Sequence, residues 1–194
     1  MKPAAKGFFF GLVAGVAGTV FLEVCVTVLA LSAVGQSWIG SRFLPTPRFP
    51  TDEVRLGQVD YDWDLHTLDG RPVSFAEFRG KPVFLNLWAS WCAPCRMEMP
   101  GIERLSRSLE GSGIAFVIAS EEDADVIRSY AERNSLGITL YVVDRVPAPF
   151  EVETIPRTYI IDPGGTIVFE RRGAAAWDVD ACRDFLRRFV RAGA

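Results

Sequence analysis

Along this chain the spacing of apolar positions changes several times, and each change marks an element. From Phe8 to Val34 nearly every residue is apolar, a run longer than the roughly 20 residues a helix needs to cross a bilayer. Residues 35–55 lose that pattern, and Pro45, Pro47 and Pro50 punctuate them, which predicts a semi-extended tether rising about 3 Å per residue. Asp69-Gly70 predicts a turn. The continuous run Pro82 to Ala89 predicts a buried strand, and Cys92 to Leu109 sets Ile102, Leu105 and Leu109 at helical spacing, with a kink expected at Pro100. A second strand is expected over Ile114 to Ala119, a helix over Asp123 to Ser135 ended by Gly137, and a third strand over Thr139 to Val143. Tyr159 to Ile161 and Ile167 to Glu170 flank Pro163-Gly164-Gly165 as a hairpin, and a last helix runs over Asp178 to Arg191.

Helices between strands, then a hairpin and a helix, predict an α/β fold. Its mixed central sheet would carry helices on both faces and be preceded by one N-terminal transmembrane helix. The expected organisation is a cytoplasmic tail at 1–6, a transmembrane signal-anchor at 7–34, a Pro-containing linker at 35–55 and one domain at 56–194, with no internal repeat. About 140 residues are ample for one core.

The apolar run exceeds the roughly 7 to 15 residues of a cleavable signal core, so it reads as a retained anchor in contact with membrane lipid, although Ala30-Leu31-Ser32 imitates a cleavage site. Cys25 follows Glu23-Val24 rather than the small residues a lipid-modified cysteine wants. Lys2 and Lys6 precede the run while Arg42, Arg48 and Arg55 follow it, a slight positive-inside bias. The expected placement is single-pass in the cytoplasmic membrane, with the domain facing the periplasm or cell exterior. Gly7, Gly11, Gly15, Thr19 and Glu23 recur every four residues, a small-residue ridge that suits a helix–helix partner through Gly11 and Gly15 and gives the acidic Glu23 a protected setting. A formal net charge of −3, with Arg183, Arg187, Arg188 and Arg191 on the outer face of the last helix, makes nucleic acid an unsuitable partner.

The chemistry sits between the first buried strand and the helix after it, in Trp91-Cys92-Ala93-Pro94-Cys95. Two cysteines at this spacing can close a small disulfide ring at a helix start. There the unpaired N–H groups and the macrodipole favour an anion, making Cys92 the candidate attacking thiolate and Cys95, one turn deeper, the resolving thiol. Pro94 lacks an N–H, which is tolerable only near a helix start. A zinc knuckle, a static disulfide and two unrelated core cysteines are the alternatives. Zinc needs four ligands, and the remaining pool of His66, Cys25 and Cys182 lacks ligand-like spacing from the pair. Cys182 shares an apolar stripe with Val179, Phe185, Leu186 and Phe189 and reads as a buried small hydrophobe, while His66 reads as a surface residue.

Phe84 to Pro100, FLNLWASWCAPCRMEMP, resembles the active-site strand and helix of the thioredoxin superfamily, and its Arg-x-Glu-Met-Pro ending resembles the membrane-anchored TlpA-like branch. Thr154 to Asp162 resembles the strand that, in that family, begins with a cis-proline facing the cysteine pair. The resemblance implies a thioredoxin fold and a thiol-disulfide oxidoreductase whose only redox group is the Cys92–Cys95 disulfide, with no dissociable cofactor and no metal. Ile155 and a cis Pro156 would shape the substrate groove, flanked by Trp91, Ala93 and Pro94. Where ordinary thioredoxins carry a buried aspartate six residues before the first cysteine, this chain has Asn86, which takes up no proton at neutral pH. Glu98, three residues beyond Cys95, matches an acidic position of the TlpA-like branch and is the candidate substitute; an exposed first-turn glutamate is the alternative. The resemblance further implies protein dithiol or disulfide substrates, apocytochrome c among them, and a membrane electron-donor protein. Ala-Pro between the cysteines, without the histidine of strongly oxidising relatives, favours a reductant. General disulfide reduction or oxidation is a second reading, and a copper metallochaperone using Cys92, Cys95 and Met97 or Met99 is a third, of a different class.

Overall fold

The computed structural model describes residues 23, 44–52, 54–148, 150 and 153–191. Apart from Glu23, the tail, the expected span with Gly11 and Gly15, and the first part of the tether lie outside the described residues. Among the described residues no helix is long and apolar enough to cross a membrane. The elements named below belong to the compact unit Ser41–Ala194.

The apolar run after Pro82 forms β4 (Val83–Leu87), buried at every position because it lies in the middle of the sheet. Val83, Leu85 and Leu87 point to one face and Phe84 to the other. On one side β4 pairs in parallel with β5 (Ala115–Ser120), which pairs in parallel with β6 (Leu140–Val142). On the other it pairs antiparallel with β7 (Arg157–Ile161), which carries the antiparallel β8 (Thr166–Arg172). Three short strands complete the edges: β1 (Gly57–Gln58) on β8, and β2 (Asp64–Thr67) with β3 (Pro72–Ser74) beyond β6, giving the order β1-β8-β7-β4-β5-β6-β2-β3. His66 is partly exposed on β2.

Within this unit the helices of the described residues are α1 (Ala93–Ser108), α2 (Ala124–Arg133) and α3 (Asp180–Arg191). The sequence pattern predicts helices on both faces of the sheet, but these cover one face and not the other. All three pack into the cluster that holds Phe84, Ile118 and Ile160, through Met99, Ile102 and Leu105 of α1, Ile127 and Tyr130 of α2, and Cys182, Phe185 and Leu186 of α3. The cause is topological: β4 to β5 and β5 to β6 step in the same direction, and two right-handed crossovers in one direction place both connecting helices on one face. The opposite face is closed by Tyr61, the single 3-10 turn Phe75–Phe78, Val146 and Phe150. Its aromatic residues pack in series, with Phe75 5.4 Å from Tyr61 and 4.3 Å from Trp63, and Phe150 5.0 Å from Tyr159.

Elements with a long apolar run or a full helical stripe fall within two or three residues of their expected bounds, and α1 continues through Pro100 to Ser108. The expected Asp69-Gly70 turn joins β2 to β3, and Gly70 there takes φ +85°, where a Cβ would be strained. Strands of two to four residues are too short to show a period, so β1, β2 and β3 carry no signal of their own.

Part of the expected linker belongs to the domain. The Ala176 N–H donates to the Pro45 carbonyl at 3.1 Å, and the Phe49 ring lies 4.6 Å from Phe185 and 4.7 Å from Phe169. A chain beginning at Arg55 loses these contacts. It is expected to be less stable than one beginning at Leu44 by about 2 kcal/mol, the partial burial of one aromatic ring; equal urea midpoints would show that the segment adds nothing.

Candidate active site

The cysteine pair sits where the central strand ends and α1 begins. Cys92 is the N-cap of α1, its sulfur accepting the Cys95 N–H at 3.3 Å, and Pro94 lies in the first turn. The two cysteines are joined as a disulfide with Cα atoms 5.3 Å apart. Cys92 keeps 5% of its surface and Cys95 none, so an incoming sulfur can meet only Cys92. That asymmetry follows from the helix: its first residue stays at the rim while the residue one turn on points back into the core.

The other half of the site comes from the residues that lead into β7. The Ile155–Pro156 peptide is cis, and the Ile155 carbonyl oxygen lies 3.8 Å from Cys92 Sγ. Pro156 is buried, while Ala93, Pro94 and above all Trp91, 71% exposed, lie at the surface. Trp91 and Ile155, with Trp88, Ala119, Glu122 and Val146, line a groove of about 530 Å³. Glu122 holds the loop that presents Cys92: its carboxylate accepts the Ser90 N–H at 2.6 Å, the Ser90 hydroxyl at 2.7 Å and the Ser120 hydroxyl at 3.2 Å.

Glu98 is fully buried under this surface, so the exposed first-turn alternative does not hold. One oxygen, Oε1, accepts the Asn86 side-chain N–H at 2.9 Å. The other, Oε2, accepts the Ala175 N–H at 2.9 Å and the Trp177 indole N–H at 2.8 Å. Burial outweighs these donors and the nearby Arg171 charge, and pushes the carboxyl up to about 7. Asn86, at the position of the thioredoxin aspartate, also donates to Thr158 Oγ1 at 2.9 Å. The Trp177 segment passes over α1 at Gly101, where a Cβ would stand in ordinary van der Waals contact, 3.6 Å from the Trp177 backbone nitrogen and 3.4 Å from Asp178 Oδ1.

Thus Cys92, Cys95, Trp91, Ala93, Pro94, Ile155 and Pro156 meet at one surface, with Glu98 beneath it on the helix that carries Cys95. Sequence reasoning missed Trp177, Thr158 and Glu122 as neighbours of the site. A tryptophan after three alanines carries no signal, whereas Asn86, a lone amide inside an apolar run, could have been read as the partner of a buried polar group. Cys182 is buried as expected, and burial pushes its thiol up to about 12, far from reactive. Among the described residues no group of three or more His, Cys, Asp or Glu is placed to hold a metal ion.

Residues 56–170, from β1 to most of β8 and including the cysteine pair, match the AhpC/TSA family. The chain belongs to the AhpC/TSA family. It is 32% identical over 118 residues to the thioredoxin-like protein YneN of Bacillus subtilis, an alignment covering 59% of this chain and 69% of that one. It is 28% identical over 151 residues to the thiol-disulfide oxidoreductase ResA of Geobacillus thermodenitrificans, covering 75% and 83%. Among solved structures, MTB dsbF in its mixed oxidized and reduced forms superposes with a TM-score of 0.55 at 25% identity, over 69% of this chain and 96% of that one. Within its family the chain is a thioredoxin-fold thiol-disulfide oxidoreductase of the TlpA-like branch.

The buried carboxyl has a consequence for stability. In the folded protein Glu98 stays protonated up to about pH 7, whereas in the unfolded chain it ionises above about 4.5. Between these limits the unfolded state holds fewer protons, so stability falls as pH rises through that window, by about 3 kcal/mol from this group. Glu98→Gln is expected to lack that fall. Urea unfolding of the oxidised protein at about pH 4.5 and about pH 7.5 checks it, and a gap between variant and wild type that does not change with pH would show an unperturbed carboxyl.

Proposed function

We propose that the protein is a membrane-tethered extracytoplasmic reductase of protein disulfides, with disulfides of the apocytochrome c type as its preferred substrates. The observation that supports this reading best is the pairing of Cys92, which keeps 5% of its surface at the rim, with a fully sealed Cys95 on the helix that also buries Glu98. In the reduced protein the Cys92 thiolate attacks one sulfur of the substrate disulfide, forming a mixed disulfide and releasing the other substrate sulfur as a thiolate, which takes a proton from solvent. Cys95 then loses its proton to Glu98 and attacks Cys92 Sγ. The Cys92–Cys95 disulfide forms and the second substrate thiolate departs, so two electrons have passed from the chain to the substrate. Glu98 suits the proton transfer because its affinity lies near neutral pH and its helix brings it under Cys95. The substrate backbone lies along Ile155, in the manner of an added strand, with Trp91, Ala93 and Pro94 against its side chains. An upstream membrane dithiol protein returns the two electrons.

The apolar run at 7–34 supports the tether and the extracytoplasmic side, and Ala-Pro between the cysteines, without a histidine, supports the reducing direction. A low-potential couple is the expected result for the full chain equilibrated against glutathione or thioredoxin buffers, at about −270 mV rather than the about −120 mV of a strong oxidant. A value near the upper figure would make it a disulfide donor instead. The order of attack has its own readout: Cys95→Ser should accumulate mixed disulfides with substrate protein on non-reducing gels and Cys92→Ser should not, and equal trapping by both would overturn the assignment.

A further inference from the structure

The carboxylate of Glu98 is held by three N–H donors and by no acceptor, and the two oxygens are unequal. Oε2 is filled by Ala175 and Trp177, whereas Oε1 has a single partner, Asn86 Nδ2. A proton on Oε2 would displace one of two good hydrogen bonds, so it goes to Oε1, where it needs an acceptor. The nearest group that can become one is the same amide. Asn86 Oδ1 is fully buried and has no hydrogen-bond partner, while Nδ2 serves both Glu98 and Thr158.

We propose that Asn86 is a protonation-dependent amide switch that turns about its terminal bond to donate to ionised Glu98 and to accept from neutral Glu98. With Glu98 ionised, Nδ2 donates to Oε1 and to the Thr158 hydroxyl, as observed. With Glu98 neutral, the amide is reversed, and Oδ1 accepts from Glu98 Oε1–H and from the Thr158 O–H. The hydroxyl of Thr158 is both donor and acceptor, so it follows the amide in either direction, and two hydrogen bonds are kept in each state. One amide group, in one of its two orientations, is left unpaired in both states, so neither is favoured by the count of satisfied atoms. An aspartate at this position would add a second ionisable group to the same buried site. The amide instead supplies either hydrogen-bonding character without charge, which makes Asn86 a positioning residue for the proton step.

The groups facing Glu98 make the test clean. On its own helix the nearest titratable group is Cys95, which does not titrate while the disulfide is intact. On β8 it is Arg171, cationic throughout, and β4, β7 and the segment before α3 contribute the neutral Asn86, Thr158, Ala175 and Trp177.

The inference rests on the reading of Glu98 as the proton acceptor, and the experiment separates the two. In the oxidised full chain, isotope-labelled for NMR, the Glu98 Cδ shift is followed from about pH 5 to about pH 9, a range spanning the carboxyl's expected midpoint. Nuclear Overhauser contacts from the Asn86 side-chain N–H protons to Thr158 are followed over the same range. These contacts should be present above the Glu98 midpoint and lost below it. Trp177→Phe removes a donor from Oε2 and should raise both midpoints together by about one pH unit. Contacts that persist on both sides of the Glu98 midpoint would overturn the switch while leaving the Glu98 reading intact. A Glu98 signal that does not titrate in the range would overturn both. A thiol-exchange pH profile that ignores the Trp177→Phe shift would sink the Glu98 role alone.

Discussion

A carboxyl group buried in the core under the cysteine pair is the constraint around which the rest of the domain is arranged. Removing an ionisable group from water is costly unless its oxygens are hydrogen-bonded, and here the three donors come from two separate parts of the chain. Asn86 lies on the central strand, while Ala175 and Trp177 lie in the segment between β8 and α3. The carboxyl therefore ties the active-site helix to the sheet and to the C-terminal helix region at once. The tie is buried in the aromatic layer that Trp177 shares with Phe84, 5.1 Å away, so the ring fills the core while its N–H serves the carboxyl.

The same burial gives the site its chemical asymmetry. Cys92 at the cap of α1 keeps a small accessible surface beside the Ile155 carbonyl, while Cys95, one turn on, is wholly buried like Glu98. Separate environments suit separate tasks: the sulfur nearer the rim is placed for attack, and the fully enclosed one is placed on the helix of a group able to hold a proton near neutral pH. Moving Glu98 to the surface would lower its proton affinity toward that of an ordinary glutamate and remove the match. The polar site thus trades stability above neutral pH for a proton acceptor at the right depth.

Topology sets which face this happens on. Two crossovers in one direction stack α1 and α2 on the side that α3 also covers, leaving the opposite face to aromatic residues from a 3-10 turn and loops. The redox helix is therefore braced on its own face by a complete layer, and Phe49, from what the proline pattern marked as tether, extends that layer past α3.

The sequence by itself determined the elements whose signal is local. Long apolar runs and full helical stripes specified the central strands and the three helices of the domain, and the spacing of Cys92 and Cys95 after a buried strand specified the redox pair, because period and spacing need no partner to be read. The flanking Ile155 and Pro156 were legible only through resemblance, since nothing local marks a residue that will face a sulfur more than sixty positions earlier. Tertiary structure alone decided the rest. The edge strands are too short to carry a period and exist because neighbours offer them hydrogen bonds. Glu98 at three residues from Cys95 could have been a solvated first-turn glutamate, and the approach of the Trp177 segment, which donates two hydrogen bonds to it, accompanies its burial. Whether a side chain is buried depends on what the rest of the chain brings to it, and that long-range fact changes Glu98 from a surface charge into a group that exchanges a proton near neutral pH.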